Sequence, residues 1–265
     1  MTLVPRGAQP PPHTHPGRLG AFSFLPMTAS RYNIFHAIAA AVVLTFAISD
    51  NFWHNFLHGG FATPPPAATV CMALGIQIAL FGTLLLVLWI STLFARRPVP
   101  NVPNVPNSTN AISALKLALT AFVPICLVAF GLEFASVTMF EKVFGLQAAG
   151  QDLVKWLQPG TYPLPVRLML MAFALFEAPL VEEPLFRGIV FRGLLKSIPV
   201  WAAMAASGFL FALIHVNAAT FIPLWFLGVA FAWLYRRTGS ILAPMTAHFL
   251  FNLLNLTLVL SGLAT

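Results

Sequence analysis

Residues 164–195 read LPVRLMLMAFALFEAPLVEEPLFRGIVFRGLL. The run is longer than the ~20 apolar residues that cross a bilayer, whereas a membrane β-strand needs only ~9–11. In lipid every backbone polar group must find a partner inside the structure, so a run of this length is a helix. Pro179 and Pro184 fall in its interior and predict a bent one. Glu182, Glu183 and Arg187 sit in the same apolar run. Ionisable side chains at mid-bilayer cost several kcal/mol, and those that persist there mark functional sites.

The rest of the chain fits this reading. Of its 265 residues 58% are hydrophobic and 8% charged, with mean hydropathy +0.84. A soluble domain carries about 25% charge. Six further apolar runs lie near residues 34–52, 67–94, 112–140, 199–216, 221–235 and 241–260. The expected fold is therefore all-α: a polytopic membrane protein of about seven transmembrane helices, with room for an eighth or a re-entrant piece in 141–165. Residues 1–31 are expected as a flexible Pro- and His-containing tail, 32–140 as the N-terminal transmembrane helices, 141–163 as a loop and 164–265 as a second transmembrane core.

The net charge of +7 comes from basic residues scattered in ones and twos, with no basic stripe for nucleic acid. With the N-terminus placed in the cytoplasm, eleven basic residues fall on inner segments (Arg6, Arg18, Arg31, Arg96, Arg97, Lys116, Arg187, Arg192, Lys196, Arg236, Arg237). Three fall on outer ones (Lys142, Lys155, Arg167). This bias predicts N-terminus in and C-terminus out. Cys71 and Cys126 lie in apolar runs and read as small buried hydrophobes, without disulfide or metal spacing.

Two more polar sets interrupt apolar runs: His215, and His248 with Asn252 four residues on. Counting ~1.5 Å per residue from the inner ends puts Glu182 at ~21 Å, His215 at ~24 Å, His248 at ~14 Å and Asn252 at ~20 Å. Three helices chosen by hydropathy alone thus bring their polar groups to similar depth. Glu183 and Arg187 share a helix face and can pair. Glu182 points about 100° away and is a candidate general base. His215 could hold the same water. His248 and Asn252 share a face of the last span, and both can donate to a developing oxyanion, at ~3–4 kcal/mol per donor. Zinc is the rival use, with Glu182, His215 and His248 as ligands and an open fourth position. No His-Glu-x-x-His run is present, and the metal-free version is favoured.

Glu182-Glu183-x-x-x-Arg187, then Phe211-x-x-x-His215, then His248-x-x-x-Asn252, resembles the CPBP family of intramembrane proteases. That family includes the type II CAAX prenyl endopeptidases and the bacteriocin-processing and self-immunity proteins. The resemblance covers about Ala178 to Leu256. It implies a helical core with an intramembrane chamber, Glu182 as base, His215 as its partner in activating water, and His248 with Asn252 as oxyanion donors. Glu183, Arg187 and Phe211 would support them. The implied substrate is a membrane-associated or lipid-anchored peptide in contact with the bilayer. Three other readings use the same residues: a zinc-dependent protease, a proton-coupled transporter, and a catalytically idle peptide-binding immunity protein. Glu177, five residues before Glu182, lies about 140° round a regular helix and is expected outside the cluster. Asn217 is expected to cap a helix.

Overall fold

The computed structural model describes residues 64–76, 78–79, 109–145 and 152–263, and all regular structure among them is helical. The helices are α1 (Ala67–Ile76), α2 (Ala111–Phe144), α3 (Asp152–Leu157) and α4 (Leu164–Leu194). After them come α5 (Val200–Leu213), α6 (Ala218–Thr238) and α7 (Leu242–Leu260). Among the described residues, α2, α4, α6 and α7 are long and apolar enough to cross a membrane, so the protein is a multi-pass helical membrane protein. Expected spans three to seven correspond to α2 and α4–α7, with ends shifted by a few residues. The first span, the basic end of the second and the tail lie outside the described residues, and the total of seven crossings rests partly on them.

Local chemistry sets the ends. Asn110 caps α2 by accepting from the Ser113 amide at 2.8 Å. Gly239 ends α6 in the left-handed region at φ 62, where glycine carries no steric penalty. The fifth expected span, 199–216, stops early as a helix at Leu213. The reason is Asn217, which takes an extended conformation (φ −143, ψ 113) and accepts from the Thr220 amide at 3.2 Å to cap α6. His215 therefore stands on the α5–α6 connection and not on a helix. The segment expected as a loop after residue 140 begins with the last turn of α2 and contains α3.

α6 lies at the centre, packed against α5, α2 and α7. Its contact with α5 is made by backbone: a Cβ on Gly228 would come 2.6 Å from the Cα of Gly208, and one on Gly208 would come 2.8 Å from the Val229 nitrogen. Small residues at helix crossings permit such approach in membranes, where dispersion and not hydrophobic exclusion drives association. α2 follows the same rule. It turns Ala114, Ala118 and Ala129 to the core and leaves Leu119, Val123, Leu127 and Phe134 exposed on the outer surface.

Pro223 breaks the α6 ladder, because a proline at this position cannot donate to the carbonyl of Ala219 four residues earlier. The Ser136 hydroxyl of α2 donates to that carbonyl instead, at 2.6 Å. In lipid a borrowed donor of this kind is what makes an interior proline tolerable.

Candidate active site

The site is built on α4, which is not a regular helix. Residues Phe173–Glu177 and Pro184–Phe191 are π-helical, with α-helical turns around them. Prolines withdraw the backbone donors at 179 and 184, and the widened turns adjust to the loss. Where the sequence predicts a bend, α4 carries two π segments.

Glu183 and Arg187 are fully buried and paired, with Arg187 Nη1 donating to Glu183 Oε1 at 3.1 Å and Nε 3.1 Å from Oε2. Arg187 Nη2 donates to the Gly228 carbonyl of α6 at 3.0 Å. The guanidinium carbon sits 4.8, 5.3 and 5.9 Å from the ring centres of Phe211, Phe231 and Phe186. A buried charge is tolerable only when paired and hydrogen-bonded, and this cage supplies both along with cation–π contacts. Sealed inside the protein, Arg187 drops out of the count of basic residues that report topology.

Glu183 Oε1 also accepts from His248 Nδ1 at 2.9 Å, which fixes that ring across the α4–α7 interface. The ring is stacked on Phe231 (5.1 Å, 24°) and meets Phe211 edge-on (5.8 Å, 76°). With Nδ1 engaged, His248 turns Nε2 toward Glu182, whose Oε2 lies 4.0 Å away. Glu182 Oε2 is buried and has no hydrogen-bond partner. The separation is too long for a direct hydrogen bond, and it leaves both groups able to act on one small molecule.

His215 Nδ1 donates to the Phe211 carbonyl at 2.8 Å, which leaves Nε2 with a lone pair in the neutral ring. The His215 ring packs on Phe211 at 4.9 Å, so one phenyl ring touches both histidines. Val216 follows at φ 49, a conformation that costs a β-branched residue of order 1–3 kcal/mol. Such strain collects where a scaffold holds a functional side chain against its preference.

Among the residues expected to form the site, Glu182, Glu183, Arg187 and His248 lie together, and Phe211 joins them to His215. The Asn252 amide donates to the Ala174 carbonyl of α4 at 2.8 Å. Asn255, expected to extend this polar face, donates to the Phe251 carbonyl of its own helix. Glu177, expected outside the cluster, ends the first π segment and has one buried carboxylate oxygen without a hydrogen-bond partner. Phe231, Gly228 and Ser207, which donates to the Phe186 carbonyl at 3.2 Å, were not singled out from the sequence. A glycine inside an apolar helix hinted at close approach, but nothing separates Phe231 from the other phenylalanines. Among the described residues no three His, Cys, Asp or Glu side chains converge as a metal-ligand set; Glu182 and His248 approach one another as a pair.

This constellation lies within the part of the chain that matches known proteins. Residues 164–254 match the family model for type II CAAX prenyl endopeptidase Rce1-like proteins. This segment is similar to that protease family. The chain is also 31% identical over 87 residues to the Bacillus subtilis (strain 168) protein described as "Putative membrane peptidase YdiL". That match takes in 33% of this chain and 35% of the relative, so the chain spans about a third of its length. No solved structure matches.

Proposed function

We propose that the protein is an intramembrane endopeptidase that hydrolyses a peptide bond near the membrane surface by activating water without a covalent nucleophile. The observation that carries this reading is the pairing of Glu182 with His248: a buried, unpartnered carboxylate oxygen 4.0 Å from an imidazole nitrogen, in a ring whose other nitrogen is held by Glu183.

In the proposed step Glu182 takes a proton from water as the oxygen attacks the scissile carbonyl carbon. His215, anchored through Nδ1 on Phe211, orients that water through Nε2. Charge passes to the carbonyl oxygen, where His248 Nε2 donates when the ring is doubly protonated. Glu182 then returns its proton to the leaving amine as the C–N bond breaks. General-base assistance contributes ~10²–10⁴-fold, and an oxyanion donor ~3–4 kcal/mol. Glu183 and Arg187 keep His248 in register.

The substrate fitting this setting is a membrane-associated or lipid-anchored peptide, because Glu182 and His248 sit on helices long and apolar enough to cross a membrane. The basic bias supports a cytoplasmic N-terminus. Purified full-length protein, incubated with a panel of membrane-anchored peptides, should release products whose masses fix the cut site. Glu182→Gln should abolish release, and chelators should leave it intact in protein free of zinc by elemental analysis. No cleavage of any peptide, together with Glu182-dependent transport in liposomes, would replace this reading with a transporter. Inhibition by phenanthroline with stoichiometric zinc would replace the glutamate mechanism with a metal one.

A further inference from the structure

We infer that Asn252 is a positioning residue: its amide repairs the α4 backbone that Pro179 leaves incomplete, and so holds in place the turn that presents Glu182. The inference rests on the peptidase reading and gives the Asn252 amide a task on the α4 backbone.

The Ala174 carbonyl has two backbone donors within reach. In an α-turn the donor would be the amide of residue 178, and in a π-turn that of residue 179. The Ala178 amide is committed to the Phe173 carbonyl, and residue 179 is a proline with no N–H. Ala174 is thus orphaned in a helix that crosses lipid, where no solvent can compensate. The Asn252 Nδ2 group fills the vacancy at 2.8 Å.

The same molecule shows this device where no chemistry is at stake. Ser136 donates to Ala219, the carbonyl left by Pro223. A proline, an orphaned carbonyl and a side-chain donor from another helix recur as a set.

What differs at Ala174 is the neighbourhood. The repaired carbonyl is followed directly by the Ala178–Glu183 turn, so its geometry sets where Glu182 and Glu183 project. Asn252 also lies one helical turn beyond His248 on α7. The Asn252–Ala174 and His248–Glu183 bonds are therefore two rungs between one pair of helices. Loss of the first rung lets α4 rotate under the second.

A double-mutant cycle tests this. Pro179→Ala restores an N–H at the position that can serve Ala174, and should make the Asn252 amide dispensable. Wild type, Pro179→Ala, Asn252→Ala and the double variant are purified as full chains, and kcat/KM is measured on one membrane-anchored peptide alongside unfolding midpoints. Asn252→Ala is expected to lower kcat/KM by ~30-fold or more in the wild-type background and by less than ~3-fold in the Pro179→Ala background, since coupled residues depart from additivity. An equal loss in both backgrounds overturns the inference and returns Asn252 to the oxyanion. If Asn252→Ala alone is too unstable to purify, recovery of folded, active protein in the double variant supports the inference, and failure to recover overturns it. A wild-type chain that cleaves nothing sinks the peptidase reading, while the cycle read in unfolding midpoints still decides whether Asn252 and residue 179 are coupled.

Discussion

α6 and α4 both pass through the core and both contain interior proline, yet they differ in every other respect. α6 keeps one helical pattern from Ala218 to Thr238 and is buried along most of its length. α4 changes pattern at two π segments and is the helix that carries the glutamates and Arg187. The contrast teaches a division of labour. A regular, buried helix gives a fixed reference surface, with the Gly228 carbonyl and the Phe231 ring as its contact points. An irregular helix packed on that surface can aim carboxylates inward at angles a regular ladder does not offer.

The largest effect that would sharpen this division is expected at Glu182. Glu182→Gln should lower turnover by about 10³-fold or more without moving the unfolding midpoint, because Glu182 Oε2 makes no hydrogen bond in the fold. A variant that keeps its rate would remove α4 from the chemistry. Next comes Arg187→Met, which leaves Glu183 buried without its guanidinium and held only by the His248 ring. We expect about 3–5 kcal/mol of destabilisation, read by thermal unfolding in detergent, and recovery of most of it in Arg187→Met/Glu183→Leu.

On the α6 side, Gly228→Ala forces a Cβ to within 2.6 Å of the Gly208 Cα. Overpacking of this kind costs about 1–3 kcal/mol and should also lower turnover, since Arg187 hangs on the Gly228 carbonyl. An unchanged midpoint would show that the two helices can separate freely. The smallest effect is expected from Ser136→Ala. It removes one interhelical hydrogen bond, about 1 kcal/mol, and should leave turnover within about twofold. If it slows cleavage as much as Asn252→Ala, the comparison between the two proline repairs fails.

How much of this could be read beforehand depended on whether a feature is carried by spacing along one helix or by contact between helices. Glu183 and Arg187, four apart in an apolar run, paired as their spacing required. The nearness of Glu182 and His248 was legible from hydropathy and helical rise. Asn217 caps α6 as expected, but the sequence did not show that α5 ends before His215, so that the ring projects from a connection. Pairing Asn252 with His248 as twin donors followed from their shared face, and the partner actually beside that amide depends on a backbone defect in another helix. Pro179 was visible in the sequence, whereas the π turn that moves the orphaned carbonyl to Ala174 was not.

The Gly208–Gly228 crossing has a mechanical consequence. Main-chain atoms pressed together with no side chains between them have one fit and no reserve of rotamers to reshuffle, so the pair resists sliding. Any opening wide enough to admit a peptide must hinge elsewhere and carry α5 and α6 as one block, with His215 riding at its tip.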